Sequence, residues 1–317
     1  MAFITTEICL FQPFSLLSPA LGTMEPKTKL MLSGFAGLAG TVWIGLMATI
    51  ASRQQQLVFN PIRVKEVDRP RSSGHRTRPV VLRSTDGTRL SGWLLSPVGL
   101  GRHPAVIYFG GRSEEVSWVA RDAGTMFPGM TVLVMNYRGY GDSHGVPGER
   151  QMIEDGQMLF DWLAAHQQVD AARIAVVGRS LGSGVAVQLA AHRPVAALAL
   201  ITPYDSILAI AKRHFKPLPV SLLLKHRFES VKYAEKVAAP VLVLRAQTDD
   251  VVPHLHTDQL VSKLATLAQD EIVPDSDHYN IPYLPETQKR IAAFLRSRFF
   301  QMAAAPVLAA SACVAQA

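Results

Sequence analysis

Between residues 53 and 300, short runs of apolar residues alternate with longer stretches in which apolar residues recur at helical spacing. The continuous runs predict buried strands, and the 3.6-residue periodicity predicts helices. Strands that alternate with helices pair in a mainly parallel sheet with helices on both faces, which predicts an α/β fold. Asp86 and Gly87 separate the first two strands, which indicates an antiparallel hairpin. The predicted strands are RPVVLRS, RLSGWLLSP, PAVIYFGG, MTVLVMNYRG, RIAVVGRS, VAALALITP, APVLVLRAQ and QDEIVPDS.

A different pattern precedes this region, because residues 30–52 contain no charged side chain. A helix of about 23 residues is about 34 Å long, enough to cross a hydrocarbon core of about 30 Å. We therefore predict a single-pass transmembrane anchor at residues 30–52, after an N-terminal leader (residues 1–29) in which Met24 is a candidate start. The alternative is a signal peptide that is cleaved near Ala51 before export. Basic residues on both sides leave the membrane side of the following domain undecided.

Composition narrows the possible functions. The chain has 317 residues, of which 48% are hydrophobic and 18% charged, and this suits a globular domain with a sizeable core. Cys9 and Cys313 form no disulfide framework, and the sequence has no zinc-finger, HExxH or Walker pattern. The net charge of +7 favours anionic surfaces. The basic run at residues 63–78 has no aromatic platform, so we expect no nucleic-acid site.

The stretch VVGRSLGSG, residues 176–184, places Ser180 in a Gly-x-Ser-x-Gly pattern. This pattern is weak by itself, but here it lies between a predicted strand and a predicted helix, as a nucleophile elbow does. Glycines at positions 178 and 182 would let the strand and the helix cross closely. A helix N-terminus also offers N–H groups to a developing oxyanion. We therefore interpret Ser180 as a nucleophile rather than as an ordinary helix N-cap.

A serine nucleophile needs a base, and the base needs an orienting acid. In a sheet of this type the chain order is serine, acid, histidine. Asp249 follows the strand APVLVLRAQ, and His278 lies on a loop after the last strand. Both are therefore expected at the same edge of the sheet as Ser180. Asp250 and Asp205 also follow strands and remain alternative acids.

An oxyanion hole requires two N–H donors, each typically worth about 3–4 kcal/mol of transition-state stabilisation. One donor should be the N–H of Leu181, the residue after the nucleophile. The other should come from the loop after PAVIYF, where Gly111 is the first candidate and Arg112 the second.

Together these motifs resemble those of the α/β-hydrolases. They occur in the expected order as YFGGRSEEV, NYRGYGDSHG, GRSLGSG, TPYDSI, TDDVVP and DHYN, within residues 57–300. The resemblance is closest to single-pass membrane-anchored serine hydrolases related to serine-aminopeptidase-like and acyl-thioesterase members. It implies that Ser180 is the nucleophile, Asp249 the acid and His278 the base. The chain departs from many relatives at Phe109, where they have histidine, but a backbone donor does not depend on that side chain.

These features predict a serine hydrolase domain at residues 54–300 that cleaves carboxylic ester or thioester bonds through an acyl-enzyme on Ser180. This chemistry requires neither a metal nor an organic cofactor. The expected substrate is a small-molecule or lipid-like acyl compound, while the sequence specifies no oligomeric state. Two alternatives remain: an aminopeptidase or amidase that uses the same triad, and a catalytically silent, membrane-tethered interaction protein.

Residues 204–232 are predicted to form a short helical lid. Between residues 207 and 227 this insertion has basic side chains and no acidic ones. We expect the lid to lie near anionic lipid head groups, and the alternative is a solvated pair of basic helices. Residues 301–317 are predicted to be a mobile tail of small residues. The basic residues of the lid are Lys212, Arg213, Lys216, Lys225 and Arg227.

Overall fold

The computed structural model of the chain describes residues 26–64, 68–216 and 218–314. The chain divides after Ser52 into two units. Most of the leader predicted at residues 1–29, including Met24, lies outside the described residues. The second unit contains the predicted domain and the candidate site.

Helix α1 runs from Pro26 to Val58. Within the described residues, no helix combines the length and the apolar character that crossing a membrane requires. The transmembrane anchor that we predicted at residues 30–52, and with it the single-pass membrane location, is therefore not supported by the structure.

Eight strands form one sheet in the order β1-β2-β4-β3-β5-β6-β7-β8. Strand β2 pairs antiparallel with β1 and β4, and all other neighbouring strands pair in parallel. The mainly parallel sheet and the hairpin at Asp86–Gly87 are thus confirmed. The strands are β1 (His75–Arg83), β2 (Arg89–Pro97), β3 (His103–Phe109), β4 (Thr131–Met135), β5 (Val169–Arg179), β6 (Ala197–Ile201), β7 (Val241–Thr248) and β8 (Leu267–Asp277).

Helices cover both faces of this sheet, because alternate residues of the buried strands point to opposite sides. On β3, Ile107 packs into one hydrophobic cluster with Phe160, whereas Val106 packs into the other with Phe127. The remaining helices are α2 (Ser117–Met126), α3 (Glu149–Ala164), α4 (Leu181–Ala190), α5 (Ile207–His214), α6 (Val220–Leu223), α7 (Val231–Ala234), α8 (His254–Val261) and α9 (Pro285–Val314).

The predicted lid and the predicted C-terminal tail both contain helices. The insertion after β6 contains the short helices α5 and α6, at the position predicted for a lid. Helix α9 continues past residue 300 to Val314. The tail predicted to be mobile from residue 301 is therefore helical as far as it is described, in keeping with the high helix propensity of its many alanines.

A buried ion pair connects the hairpin to the helical layer. Arg138, which follows β4, donates from Nε to Asp155 Oδ2 on α3 at 2.7 Å and from Nη2 to Oδ1 at 2.9 Å. The two side chains are only 5% and 7% exposed. Arg138 also pairs with Asp86 and donates to Ser84 Oγ, both in the hairpin. A buried charge is costly unless it is paired. Separating the hairpin from α3 would leave these charges unpaired, so the ion pair holds the two elements together.

We expect Asp155→Asn to lower the free energy of unfolding by about 3 kcal/mol, because it leaves the buried guanidinium of Arg138 partly uncompensated. Denaturant unfolding followed by circular dichroism measures this change. An unfolding curve that matches the wild type would contradict the importance of the pair.

Candidate active site

The candidate nucleophile lies in a sharp turn between β5 and α4. Ser180 has φ 46° and ψ −116°, a strained conformation for a residue with a side chain. Its N–H donates to the carbonyl of Ile201 at 2.9 Å. A Cβ at position 182 would lie 2.2 Å from the carbonyl oxygen of Phe109, and one at position 178 would lie 2.6 Å from Cβ of Ala186. Only glycine at both positions allows this close crossing.

Tertiary folding brings the three predicted triad residues together. Ser180 Oγ lies 2.9 Å from His278 Nε2. His278 Nδ1 lies 2.9 Å from Oδ2 and 3.0 Å from Oδ1 of Asp249. A carboxylate can only accept, so Nδ1–H donates to Asp249 and Nε2 is left to accept the hydroxyl proton. This tautomer places a proton acceptor directly against the serine oxygen.

Local hydrogen bonds hold the acid and the base in place. The Asp249 side chain is 2% exposed, and its Oδ1 accepts the N–H groups of Val251 at 3.0 Å and Val252 at 2.7 Å. His278 lies on the segment between β8 and α9 (residues 278–284, the histidine loop). At its start, Asp277 Oδ1 accepts the N–H of Asn280 at 2.8 Å, and Asn280 Oδ1 accepts the N–H of Asp277 at 2.8 Å. Both loops are thus held by contacts within their own short sequences.

The alternative acids lie elsewhere. Asp205 Oδ1 lies 2.9 Å from Nδ1 of His256, and both residues are buried, so this carboxylate belongs to a separate Asp–His pair. Asp250 is exposed. The structure therefore joins His278 to Asp249 and to neither alternative.

The oxyanion candidates differ in how their N–H groups are used. Leu181 is the first residue of α4, so its N–H has no acceptor within the helix. The N–H of Gly111 donates to Oε2 of Glu114 at 2.6 Å and is therefore already engaged. The N–H of Arg112 has no acceptor within the described part of the chain. Gly111 nevertheless lies beside the candidate nucleophile, since a Cβ there would be 3.5 Å from Cβ of Ser180.

Glu114 is a buried carboxylate beside the site that the sequence reading missed. It forms an ion pair of 2.7 Å with Arg179, the residue before the candidate nucleophile, and the side chains of Glu114 and Arg179 are 3% and 9% exposed. The only sign in the sequence was Arg179, a charged residue that directly follows the apolar run at residues 174–178. Its partner could not be identified without the fold.

The site is closed to bulk water to a large extent. Ser180 is 9% exposed and His278 is 6% exposed. Low exposure strengthens the electrostatic interactions within the site. Within the described residues, no cluster of three or more His, Cys, Asp or Glu side chains could hold a metal ion.

Comparison with known families and proteins places the chain among hydrolases. Residues 86–216 match the family described as X-Pro dipeptidyl-peptidase (S15 family). The uncharacterized protein Rv2307c of Mycobacterium tuberculosis is 35% identical over 253 residues, which cover 80% of this chain and 89% of that protein. Lysophosphatidylserine lipase ABHD12 of Danio rerio is 29% identical over 266 residues, which cover 68% of this chain and 66% of that protein.

Solved structures share the same fold. The esterase Pf2001 of Pyrococcus furiosus superposes with a TM-score of 0.59 at 22% identity, covering 75% of this chain and 99% of that one. At this level of identity, the likeness concerns the fold alone.

We expect Asp249→Asn to slow the reaction of Ser180 with a fluorophosphonate probe by about three to four orders of magnitude, because an amide no longer holds the reactive tautomer of His278. The rate of labelling, followed by intact-protein mass spectrometry, measures this loss.

Asp205→Asn is the matched control, since it changes the other buried Asp–His pair. It should leave the labelling rate of the folded protein close to that of the wild type. If Asp205→Asn slowed labelling as much as Asp249→Asn, the assignment of the acid would be wrong.

Proposed function

The chain belongs to the α/β-hydrolase superfamily and is a hydrolase of this type, and from this premise we propose that it is a serine hydrolase of carboxylic esters or thioesters. We assign Ser180 as nucleophile, His278 as general base and Asp249 as the orienting acid. The observation that carries this proposal is the continuous chain of hydrogen bonds from Ser180 Oγ through the imidazole to the carboxylate.

The first half of the proposed reaction forms an acyl-enzyme. Ser180 Oγ attacks the carbonyl carbon of the substrate while His278 Nε2 takes the hydroxyl proton. Asp249 stabilises the resulting imidazolium and keeps Nδ1 protonated. When the tetrahedral intermediate collapses, the bond to the leaving group breaks, and His278 gives its proton to the departing alcohol or thiol.

The second half releases the acid. A water molecule loses a proton to His278 Nε2 as its oxygen attacks the acyl carbon. The ester bond to Ser180 Oγ then breaks, and the proton returns from the imidazole to the serine oxygen. The protein ends the cycle unchanged.

The oxyanion of both intermediates requires N–H donors next to Ser180. We propose the N–H of Leu181 as one donor, because it lies at the free N-terminus of α4. The N–H of Arg112 is our candidate for the second donor in the arrangement described, since that of Gly111 is bonded to Glu114. Gly111 could serve only after this bond is broken.

A lipid-like acyl ester suits the lid best. Lys212, Arg213 and Lys216 are exposed next to the insertion's apolar side chains, and Leu222 is 84% exposed. Basic and apolar groups side by side favour an anionic head group joined to an acyl chain. The similarity to a lysophosphatidylserine lipase points to the same chemical class.

An aminopeptidase or amidase is the second candidate, favoured by the match of residues 86–216 to a dipeptidyl-peptidase family. The same triad cleaves amides when the leaving amine is protonated. A screen that includes esters, thioesters and aminoacyl amides distinguishes the two. The intact triad counts against a catalytically silent scaffold.

We expect Ser180→Ala to reduce hydrolysis of p-nitrophenyl esters to the background rate with little change in stability, because the nucleophilic oxygen is lost. Initial rates and thermal unfolding of the purified protein measure both effects. The matched control is Ser183→Ala, which removes a buried hydroxyl of the same helix that bonds to the carbonyl of Ser180 and not to His278. Equal activity of wild type and Ser180→Ala would contradict the proposed function.

We expect the double variant Lys212→Glu/Arg213→Glu to lower kcat/KM on an anionic lysophospholipid by about 30-fold or more, since each of these two basic residues contributes about 1 kcal/mol near an anionic surface. A zwitterionic lysophospholipid with the same acyl chain should be affected much less, and high salt should reduce the difference.

The matched control is Lys289→Glu/Arg296→Glu, which reverses two exposed charges on α9. If both double variants changed the preference for the anionic substrate equally, the lid would have no specific part in selecting it.

A further inference from the structure

The carboxylate of Glu114 lies next to the nucleophile elbow but has no part in the reaction described above. Its Oε2 accepts from the N–H of Gly111 at 2.6 Å and from Nη1 of Arg179 at 2.7 Å. Its Oε1 accepts from the hydroxyl of Tyr108 and from Nε1 of Trp118, both at 2.9 Å. All four partners donate, an arrangement that an ionised carboxylate satisfies and a neutral amide cannot.

Arg179 extends this contact to the catalytic base. While Nη1 bonds to Glu114, Nη2 donates to the carbonyl oxygens of His278 at 3.1 Å and Tyr279 at 3.5 Å. Burial is the largest single influence on the pKa of Arg179 and lowers it, but the charge and hydrogen bond of Glu114, together with Tyr108 and Tyr283, raise the pKa above its usual value. The guanidinium therefore stays charged and keeps its donors directed at the histidine loop.

A second connection runs through aromatic rings. The ring of Trp118, which donates to Glu114, lies 4.6 Å from the ring of Tyr283, five residues after the catalytic histidine. The ring of Tyr108 packs edge-on against Trp118 at 5.9 Å. Burial and the charge of Glu114 raise the pKa of Tyr108 well above its usual value, so its hydroxyl stays a donor. The loop between β3 and α2 (residues 110–116, the oxyanion loop) and the histidine loop thus meet around one carboxylate.

We propose that Glu114 and Arg179 are a positioning pair that holds the oxyanion loop and the histidine loop in register with Ser180. Glu114 anchors the peptide of Gly111, and Arg179 anchors the main chain of His278 from the residue that precedes the nucleophile. This inference rests on the proposed serine hydrolase function. In this proposal the pair affects the rate of the chemical step and not the binding of substrate.

We expect the pair to affect kcat because it fixes the positions of the catalytic groups. A buried ion pair contributes little net stability, because desolvation offsets much of the attraction. A guanidinium nevertheless fixes several acceptors at once with its planar set of donors. Misplacing catalytic groups by about 1 Å costs about 100-fold in rate. Loss of the pair should therefore reduce kcat far more than it changes KM.

The experiment measures kcat and KM on a p-nitrophenyl ester for the wild type, Ser180→Ala, Glu114→Gln, Arg179→Met and Arg179→Lys. We expect the Glu114 and Arg179 variants to lose about 10- to 100-fold in kcat, with KM within about threefold of the wild type. The labelling rate with a fluorophosphonate should fall by the same factor, because attack by Ser180 needs the same alignment.

Asp155→Asn is the matched control, since it breaks the other buried arginine–carboxylate pair, which has no contact with the triad. It should lose stability but keep its kcat. If Glu114→Gln does not fold, Arg179→Lys decides the matter, because it keeps the charge but not the planar donors.

Folded Glu114 or Arg179 variants with the kcat of the wild type, or losses no larger than that of Asp155→Asn, would overturn the proposal. A wild type no more active than Ser180→Ala would instead contradict the proposed function itself.

Discussion

The close crossing of β5 and α4 is the constraint on which the candidate site depends. Ser180 can project from the sheet edge only because glycines at positions 178 and 182 let the two main chains approach, with the carbonyl of Phe109 directly against the helix start. The strained φ of 46° at the serine is held by the packing on both sides. The same crossing brings the strand end, the helix N-terminus and the oxyanion loop into contact around the proposed nucleophile.

Two buried arginine–carboxylate pairs have different consequences in this fold. Arg138 and Asp155 connect the hairpin to a helix away from the triad, and their contact affects the assembly of the layers. Arg179 and Glu114 lie between two active-site loops, where donor directions affect the alignment of reacting groups. In both cases the charge is stable inside the protein because every charged oxygen has a donor within reach.

The relatives indicate a hydrolase, and the geometry of the site supports our proposal that its nucleophile is Ser180. The superfamily accounts for the sheet and for the order of the three triad residues along the chain. The hydrogen bonds around His278 account for how an ordinary serine could become a nucleophile. In our proposal the basic lid bears on substrate choice rather than on the reaction, because it contributes charge and apolar surface but no group to the proposed triad.

Local patterns in the sequence were sufficient to predict the strands, the hairpin and the elbow at Ser180, because each depends on residues that are near neighbours in the chain. Hydropathy alone also suggested a membrane anchor at residues 30–52, and the structure does not support it. The sequence left three aspartates as possible acids and did not reveal the partner of Arg179. Only the tertiary structure joined His278 to Asp249, assigned Asp205 to His256 and placed Glu114 against the N–H of Gly111. Those contacts are decided by how distant segments pack, which no local pattern contains.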